Sequence, residues 1–450
     1  MRASWMFWAA LLCGTAHADL FTAQTAYRNG DYDRAFKDYR DLAELGQPLA
    51  QHNVAIMYAQ GKGVRQSDLN AFAWATLAVE SGDLSAQSLV EQLRPLLAPG
   101  SEKMAADIRA PYSRAALDER LMPKVQDTGQ DKARCRLLKV DELTYPREAR
   151  ERGIQGGATV ETTVLADGST RNPRILSAVP AKVFDSTVRA MAMRLRWRPA
   201  EAPGAVVHCQ MRFRFQMSYG KGAYPDLQSY VADTRKKAEG GNAQAELLYG
   251  LLLAGLPQLE RPRSEAVPWF LKAAQAGSPV AQYLVGTSLL FGNGCQCEEK
   301  KGEIWLRKAA EADEPNAQVE LADYALRGAP DAKNTKLADV WLERAAASGD
   351  HDGTYYLSAL LAATPVEELR DSKRALALLE KLQEDERDNP TAVEIRAAAL
   401  AASGAYGDAV KKERRAISMA ASLSWDLAPL KERLARYEAG QPWYGNLLGL

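Results

Sequence analysis

Trp269, Trp305 and Trp341 follow one another at intervals of 36 residues, and the small residues around them keep the same interval. Ala273, Ala309 and Ala345 lie four residues after each ring, and Ala274, Ala310 and Ala346 lie five after. Gly277, Asp313 and Gly349 follow at eight residues, then Ala281, Ala317 and Gly353 at twelve. A unit this short cannot bury its apolar face alone, so a fixed period between about 20 and about 50 residues implies stacked copies sharing one core, and binding as the default function. The frame extends backwards through Gly241, Ala245 and Gly250, which starts the array near residue 225. It recurs near the N-terminus, where Ala50-Gln51, Gly61, Gly63 and Trp74 stand in the register of Ala281-Gln282, Gly292, Gly294 and Trp305.

Within one repeat, a first helix begins near Ala281 and is broken by Gly292 and Gly294, with Gly286 where a neighbouring backbone comes close. A second helix sets Trp305 beside Ala309 and Ala310, one large ring next to small residues that admit the following helix. The residue eight after the tryptophan is the left-handed position that ends this helix. After residue 365 the frame slips, and Gly404 to Ala409 followed by Ala416 looks like the turn and second helix of another pair. The tail from Gly440, with Trp443 and Tyr444, caps the array.

Lys+Arg and Asp+Glu number 57 each, so the chain is formally neutral, and nucleic acid or an anionic membrane surface is excluded as the default partner. Arg2, the apolar stretch Trp5 to Cys13 and Ala16-His17-Ala18 read as an export signal covering residues 1–18, with a mature chain in the periplasm from Asp19. The alternative is an inner-membrane anchor facing the periplasm, although the apolar stretch is about half of the roughly 20 residues that a span needs. Export leaves Cys135, Cys209, Cys295 and Cys297, for which sequence permits three pairings. Position favours Cys135 with Cys209, because both flank one central segment, whereas Cys295 with Cys297 would close a small strained ring.

Between the arrays the period switches to two. Met211, Phe213, Phe215 and Met217 alternate with Gln210, Arg212, Arg214 and Gln216, as in a strand with one buried face. Ala158 to Ala166 runs into Asp167-Gly168, a hairpin signal, and residues 172–178 return. Phe184, Val188, Met191 and Leu195 have helical spacing. Asp127 to Asp131 reads as a linker.

Two resemblances rest on these residues. Ala50-Gln51 through Gly61, Gly63 and Val64 to Ala71, Trp74 and Ala78 resembles the Sel-one-like repeat, a relative of the tetratricopeptide repeat, over roughly residues 23–98 and 225–360. Tyr145-Pro146, Ala149-Arg150, Gly153, Gly156, Asp167-Gly168, Ser177, Phe184-Asp185 and Trp197-Arg198-Pro199-Ala200 together resemble the C-terminal domain of TonB-family energy transducers. That resemblance implies a three-stranded antiparallel sheet with two helices, whose last strand is an edge that pairs with a short peptide of an outer-membrane receptor. On it, Val206, His208, Gln210, Arg212 and Arg214 of the strand 206–217 are the expected partner-binding residues. The family's long proline-rich spacer has no counterpart, since the 21 prolines are scattered.

The expected fold is therefore multidomain: α-solenoids of helix pairs on both sides of a small α+β domain. The expected divisions are a signal at 1–18, repeats at 19–98, a helical segment and linker at 99–133, the α+β domain at 134–220, a second array at 221–365, and tetratricopeptide-like helices with a cap at 366–450. His52, His208 and His351 stand at no ligand spacing from a cysteine or carboxylate, so no enzyme activity, metal, cofactor or small-molecule substrate is expected. The expected function is a periplasmic scaffold for a protein or peptide partner, the alternative being a TonB-type energy transducer or accessory for outer-membrane transport.

Overall fold

The computed structural model describes residues 20–126, 135–198, 207–217, 227–256, 259, 261–327, 331–382 and 389–448. The signal segment, the linker Asp127 to Asp131, Pro199-Ala200 and Val206 lie outside the described residues. The chain forms two compact units, Met1–Met122 and Pro123–Leu450.

In the first unit, α1 (Leu20–Arg28), α2 (Tyr32–Ala43), α3 (Pro48–Gln60) and α4 (Asp68–Glu80) pack in succession, and α5 (Gln87–Leu93), α6 (Ser101–Arg109) and α7 (Arg114–Leu121) follow. Ser67 caps α4 through its side chain, and α4 buries Ala71, Phe72, Trp74, Leu77 and Ala78. Trp74 is 2% exposed. Burying a ring of that size contributes about 2–3 kcal/mol, and its place among alanines lets α3 approach α4.

The second unit opens with a small module. It consists of β1 (Leu137–Lys139), α8 (Arg147–Glu151), β2 (Gly156–Val164), β3 (Thr170–Val179), α9 (Asp185–Ala192), β4 (Arg196–Trp197) and β5 (Val207–Phe215). The main sheet is antiparallel in the order β3-β2-β5, and β1 pairs with β4, a two-stranded ladder too short to leave a sequence signal. The hairpin closes where Leu165 N–H donates to Ser169 O and Gly168 N–H to Leu165 O, with Gly168 left-handed at φ 78°. On the apolar face the rings of Phe184 and Phe215 stack at 4.0 Å, and Tyr145 meets both edge-on.

The second array follows: α10 (Leu227–Glu239), α11 (Ala243–Gly255), α12 (Val267–Gln275), α13 (Pro279–Phe291), α14 (Glu299–Glu311), α15 (Pro315–Leu326), α16 (Ala332–Ala347) and α17 (His351–Ala363). Then come α18 (Ser372–Leu379), α19 (Pro390–Ala402), α20 (Tyr406–Ser422) and α21 (Ala428–Glu438). Asn242, Ser278, Glu314 and Asp350, again 36 residues apart, cap the first helices of successive pairs through their side chains. The left-handed position after each tryptophan is filled by Gly277 (φ 95°), Asp313 (φ 60°) and Gly349 (φ 79°). Aspartate tolerates that conformation better than most residues, which explains the departure from glycine. A Cβ on Gly286 would sit 2.8 Å from Leu306 Cγ, so the α13–α14 crossing requires glycine. Lys272, Lys308 and Arg344, each three residues after its tryptophan, place their cations 4.4, 5.0 and 5.1 Å from the ring centroids.

Candidate functional site

Successive side chains of a strand point to opposite faces, so the residues alternating with the apolar core of the module share a second face. The core face carries Ala158, Val160 and Val164 of β2 with Cys209, Phe213 and Phe215 of β5, closed by Val188 and Met191 of α9. The other face carries Thr159, Glu161 and Thr163 of β2 opposite Arg212, Gln210 and His208 of β5. This second face is polar yet dry: Glu161 is 1% exposed, and Arg171 and Arg174 of β3 are 5% exposed. First helices of the second array cover it.

Three groups of buried charge make the seam. In the first, Arg174 bonds Glu161 at 2.7 Å on the neighbouring strand and also Glu320 of α15. Arg327 continues the chain to Glu320 at 3.2 Å and Asp323 at 2.8 Å, and His208 lies 3.6 Å from Asp323 and 3.7 Å from Glu161. In the second, Glu394 of α19 receives Arg171 at 3.3 Å and Arg433 of α21 at 2.5 Å, and Arg433 reaches Glu413 of α20 at 3.3 Å. In the third, Arg189 of α9 meets Asp352 of α17 at 2.8 Å. The grip extends to the chain end, where Asn172 donates to Leu448 O at 2.8 Å, Arg196 donates to the carbonyls of Leu423 and Ser424, and Asp426 N–H donates to Asp167 at 2.9 Å.

Burial opposes ionisation of every acid here, and the outcome depends on the cations beside it. For Glu161 the penalty is outweighed by Arg174 and His208, and its carboxyl sits well below the usual range. Asp352 is likewise held low, by Arg189 and His351 against its own burial. Burial pushes Glu320 up despite Arg174, and pushes Glu413 up to about 8, with Arg433 offsetting only part. Such a dry, mutually paired network is a docking surface, because every charge has a partner that a reactant would have to displace.

This bears on the expectation that the polar residues of β5 bind a partner. Gln210 accepts from Arg263 at 2.9 Å, Arg212 donates to Ala254 O at 3.4 Å, and His208 faces Asp323, so these three side chains are spent on the array of their own chain. Arg214 remains exposed. Period-two alternation reports which residues share a face but not what lies against it. The backbone edge of β5 is a separate matter: β2 occupies one side, and among the described residues no other strand pairs with the far side. Cys135 and Cys209 form a disulfide (Cα–Cα 5.5 Å) that ties the start of the module to β5. Cys295 and Cys297 are not bonded to each other, and their thiols donate to Ser288 O and Leu290 O.

The histidines also differ from expectation, since distant segments bring each one a carboxylate or place it beside its neighbour's. His351 Nδ1 is 2.7 Å from Asp352, and His52 Nδ1 is 2.8 Å from Asp83 and 3.3 Å from Ser85 Oγ. A nucleophile relay needs hydroxyl and carboxylate on opposite ring nitrogens, whereas both meet Nδ1 here. Among the described residues no group of three or more His, Cys, Asp or Glu could hold a metal ion, and no helix is long and apolar enough to cross a membrane.

The acids of the seam were missed by sequence reasoning, yet the repeat frame marks them. At the positions where α13 has Leu284 and Thr287, α15 carries Glu320 and Asp323. A charge replacing a leucine within a repeat is a departure that calls for a buried partner.

Comparison with known proteins bears on both parts. Residues 141–217 match the family described as Gram-negative bacterial TonB protein C-terminal, and residues 48–83, 243–278, 279–314 and 315–350 match the Sel1 repeat. Protein TonB of Pseudomonas aeruginosa is 36% identical over 70 residues, covering 16% of this chain and 20% of that protein. Protein TonB of Klebsiella aerogenes is 40% identical over 78 residues, covering 17% and 31%. The chain therefore spans less than a third of the length of either relative. A solved protective antigen of uropathogenic Escherichia coli displaying an SLR fold is 19% identical, covers 94% of this chain and 72% of that one, and has a TM-score of 0.36. The chain thus has stretches similar to the Sel1 repeat on both sides of a stretch similar to the TonB C-terminal domain.

Proposed function

We propose that the chain is a non-enzymatic scaffold of the bacterial periplasm that offers the open edge of β5 to an extended peptide, such as a segment of an outer-membrane receptor. The observation that carries this reading is the strand order β3-β2-β5, with β5 paired on one side. An unpaired edge exposes N–H and C=O groups that an added strand satisfies. The seam uses side chains of the sheet face, whereas strand addition uses backbone at the edge, so the two are compatible. Exposed Arg214 favours an acidic or polar peptide, and the Cys135–Cys209 bond suits an oxidising compartment. A module gripped from Ala254 to Leu448 is a fixed mount, which favours a scaffold over a transducer whose receptor-contacting end reaches out on a spacer.

The test is hydrogen exchange on the full chain with peptides copied from the periplasmic N-terminal segments of outer-membrane receptors. Binding should slow exchange at residues 207–215 and vanish when alternate peptide nitrogens are methylated. Protection confined to the repeats, or indifference to methylation, would overturn the reading.

A further inference from the structure

Among the described residues after α21 there is no further helix or strand, yet Leu447 and Leu448 are 3% and 2% exposed. The segment reaches four separate places. Trp443 packs on Ala397 and Ala401 of α19 and on Tyr437 of α21, with its ring 5.3 Å from the Arg433 guanidinium. The Tyr444 ring lies 3.7 Å from the guanidinium of Arg370. Gly445 N–H donates to Ala363 O, at the end of α17, at 2.7 Å. Leu448 O accepts from the Asn172 side chain of β3 at 2.8 Å. Three of these anchors belong to the array and the fourth to the sheet. Two of them adjoin the second charge group of the seam, since Arg433 bonds Glu394 and Glu413, and Arg171, the neighbour of Asn172, bonds Glu394. Arg171 also covers the buried ring of Trp425, 4.4 Å from its centroid.

Ion pairs that separate into water recover their hydration, so buried charges contribute little net free energy to closing a seam, and closure falls to the apolar groups beside them. Residues 441–448 supply such groups next to the second charge group. Their own backbone has no regular hydrogen-bonded structure, which places them at the low end of local stability. We infer that residues 441–448 are a latch, which when seated holds β3 against α19 and α21 and when open releases that part of the seam while the rest of the fold persists. The first charge group, Arg174 with Glu320 and Arg327 with Asp323, stands on α15 and should stay closed. Neither state of the latch requires a ligand at β5.

Hydrogen exchange of the tryptophan indole N–H groups, followed by NMR on the full chain, tests this. Trp425 reports the latched part of the seam, whereas Trp74, Trp197 and Trp305, all buried, report the first unit, the core face of the sheet and the repeats. In the double variant Leu447→Asp, Leu448→Asp, the Trp425 indole should exchange at least about tenfold faster. The other three should stay within about twofold of the parent chain, as expected for distant sites. Asn172→Gly removes the bond to Leu448 and keeps the left-handed backbone at that position (φ 48°). It should speed Trp425 about fivefold, the effect of losing one hydrogen bond. Unchanged exchange at Trp425 in either variant would mean that the seam closes without the latch and would overturn the proposal. Equal acceleration of all four rings would overturn it too, because the segment would then be an ordinary part of the core.

Discussion

In the first array α3 presents Asn53 and Ile56 half-buried, whereas the matching positions of α15 in the second array, Glu320 and Asp323, are 0% and 1% exposed. One repeat, one turn of one helix, and two environments. Where the helix face meets water, an asparagine can bond its own backbone, as Asn53 does to Leu49 O. Where a sheet lies on it, the face must complement that sheet: Arg174 pairs with Glu320, and Arg327 pairs with Asp323. The repeat therefore specifies the helix pair, and the occupant specifies the residues that depart from it.

The largest expected effect comes from breaking that complement. Arg174→Ala leaves Glu161 and Glu320 buried without their shared cation, and should cost about 3–5 kcal/mol. Asn53→Ala at the matching half-buried position, which forms no ion pair, should stay within about 0.5 kcal/mol. Urea unfolding followed by exchange at β2 and α3 amides reads the two separately. Replacing Arg174, Glu161 and Glu320 together with leucine-sized apolar residues should recover most of the loss. Failure to recover would mean that the charges do more than fill a dry interface.

What was legible in the chain divides along the same line. The tryptophan interval, the glycines at 292 and 294 and the alternation along Gln210 to Met217 are local patterns, and each reports a local element. The hairpin at Asp167-Gly168 and the helix through Val188 and Met191 are likewise where their periodicities put them. The seam is not local: Arg171 meets Glu394 and Arg189 meets Asp352 across more than a hundred residues, so no window contains both partners. Every residue of β2 is buried, because its second face is covered as fully as its first. His208, Gln210 and Arg212 therefore looked like a wet face when they are a docked one. The in-frame exchange of Leu284 for Glu320 was the available hint.

Titration sharpens the contrast at intermediate magnitude. Below about 4.5 folded and unfolded chains both protonate Glu413. As pH rises towards the folded value of about 8, the unfolded chain has released this proton while the folded chain retains it, so stability falls through that window. Asp352 has the opposite sign: its lowered carboxyl contributes stability that is present above the ordinary aspartate range and lost as pH falls. Among the described residues of the first unit, Asp83 is held low by Ser85 and His52 against its own burial and Asp41 is pushed up by burial, but neither is as deeply buried as Glu413 or Asp352, so that unit should respond more weakly to pH. Thermal unfolding between about pH 5 and about pH 9 should show this decline in the second unit, levelling off above about pH 8, and Glu413→Gln should flatten it. An unchanged slope in that variant would assign the decline to another group.

The smallest effect concerns how the two arrays start their helices. Asn242 caps α11 by accepting from Ala245 N–H at 2.9 Å, a short side chain among the preferred capping types. Gln47 caps α3 in the same way, accepting from Ala50 N–H, but a longer side chain loses more rotamer freedom in doing so. Asn242→Ala should therefore cost about 1 kcal/mol and Gln47→Ala only a few tenths. Exchange rates of the first-turn amides of α11 and α3 measure the difference directly. Equal costs would indicate that packing behind the first turn, and not the cap, fixes where each repeat begins. The positions at 278, 314 and 350 would then keep their period as a by-product of helix length.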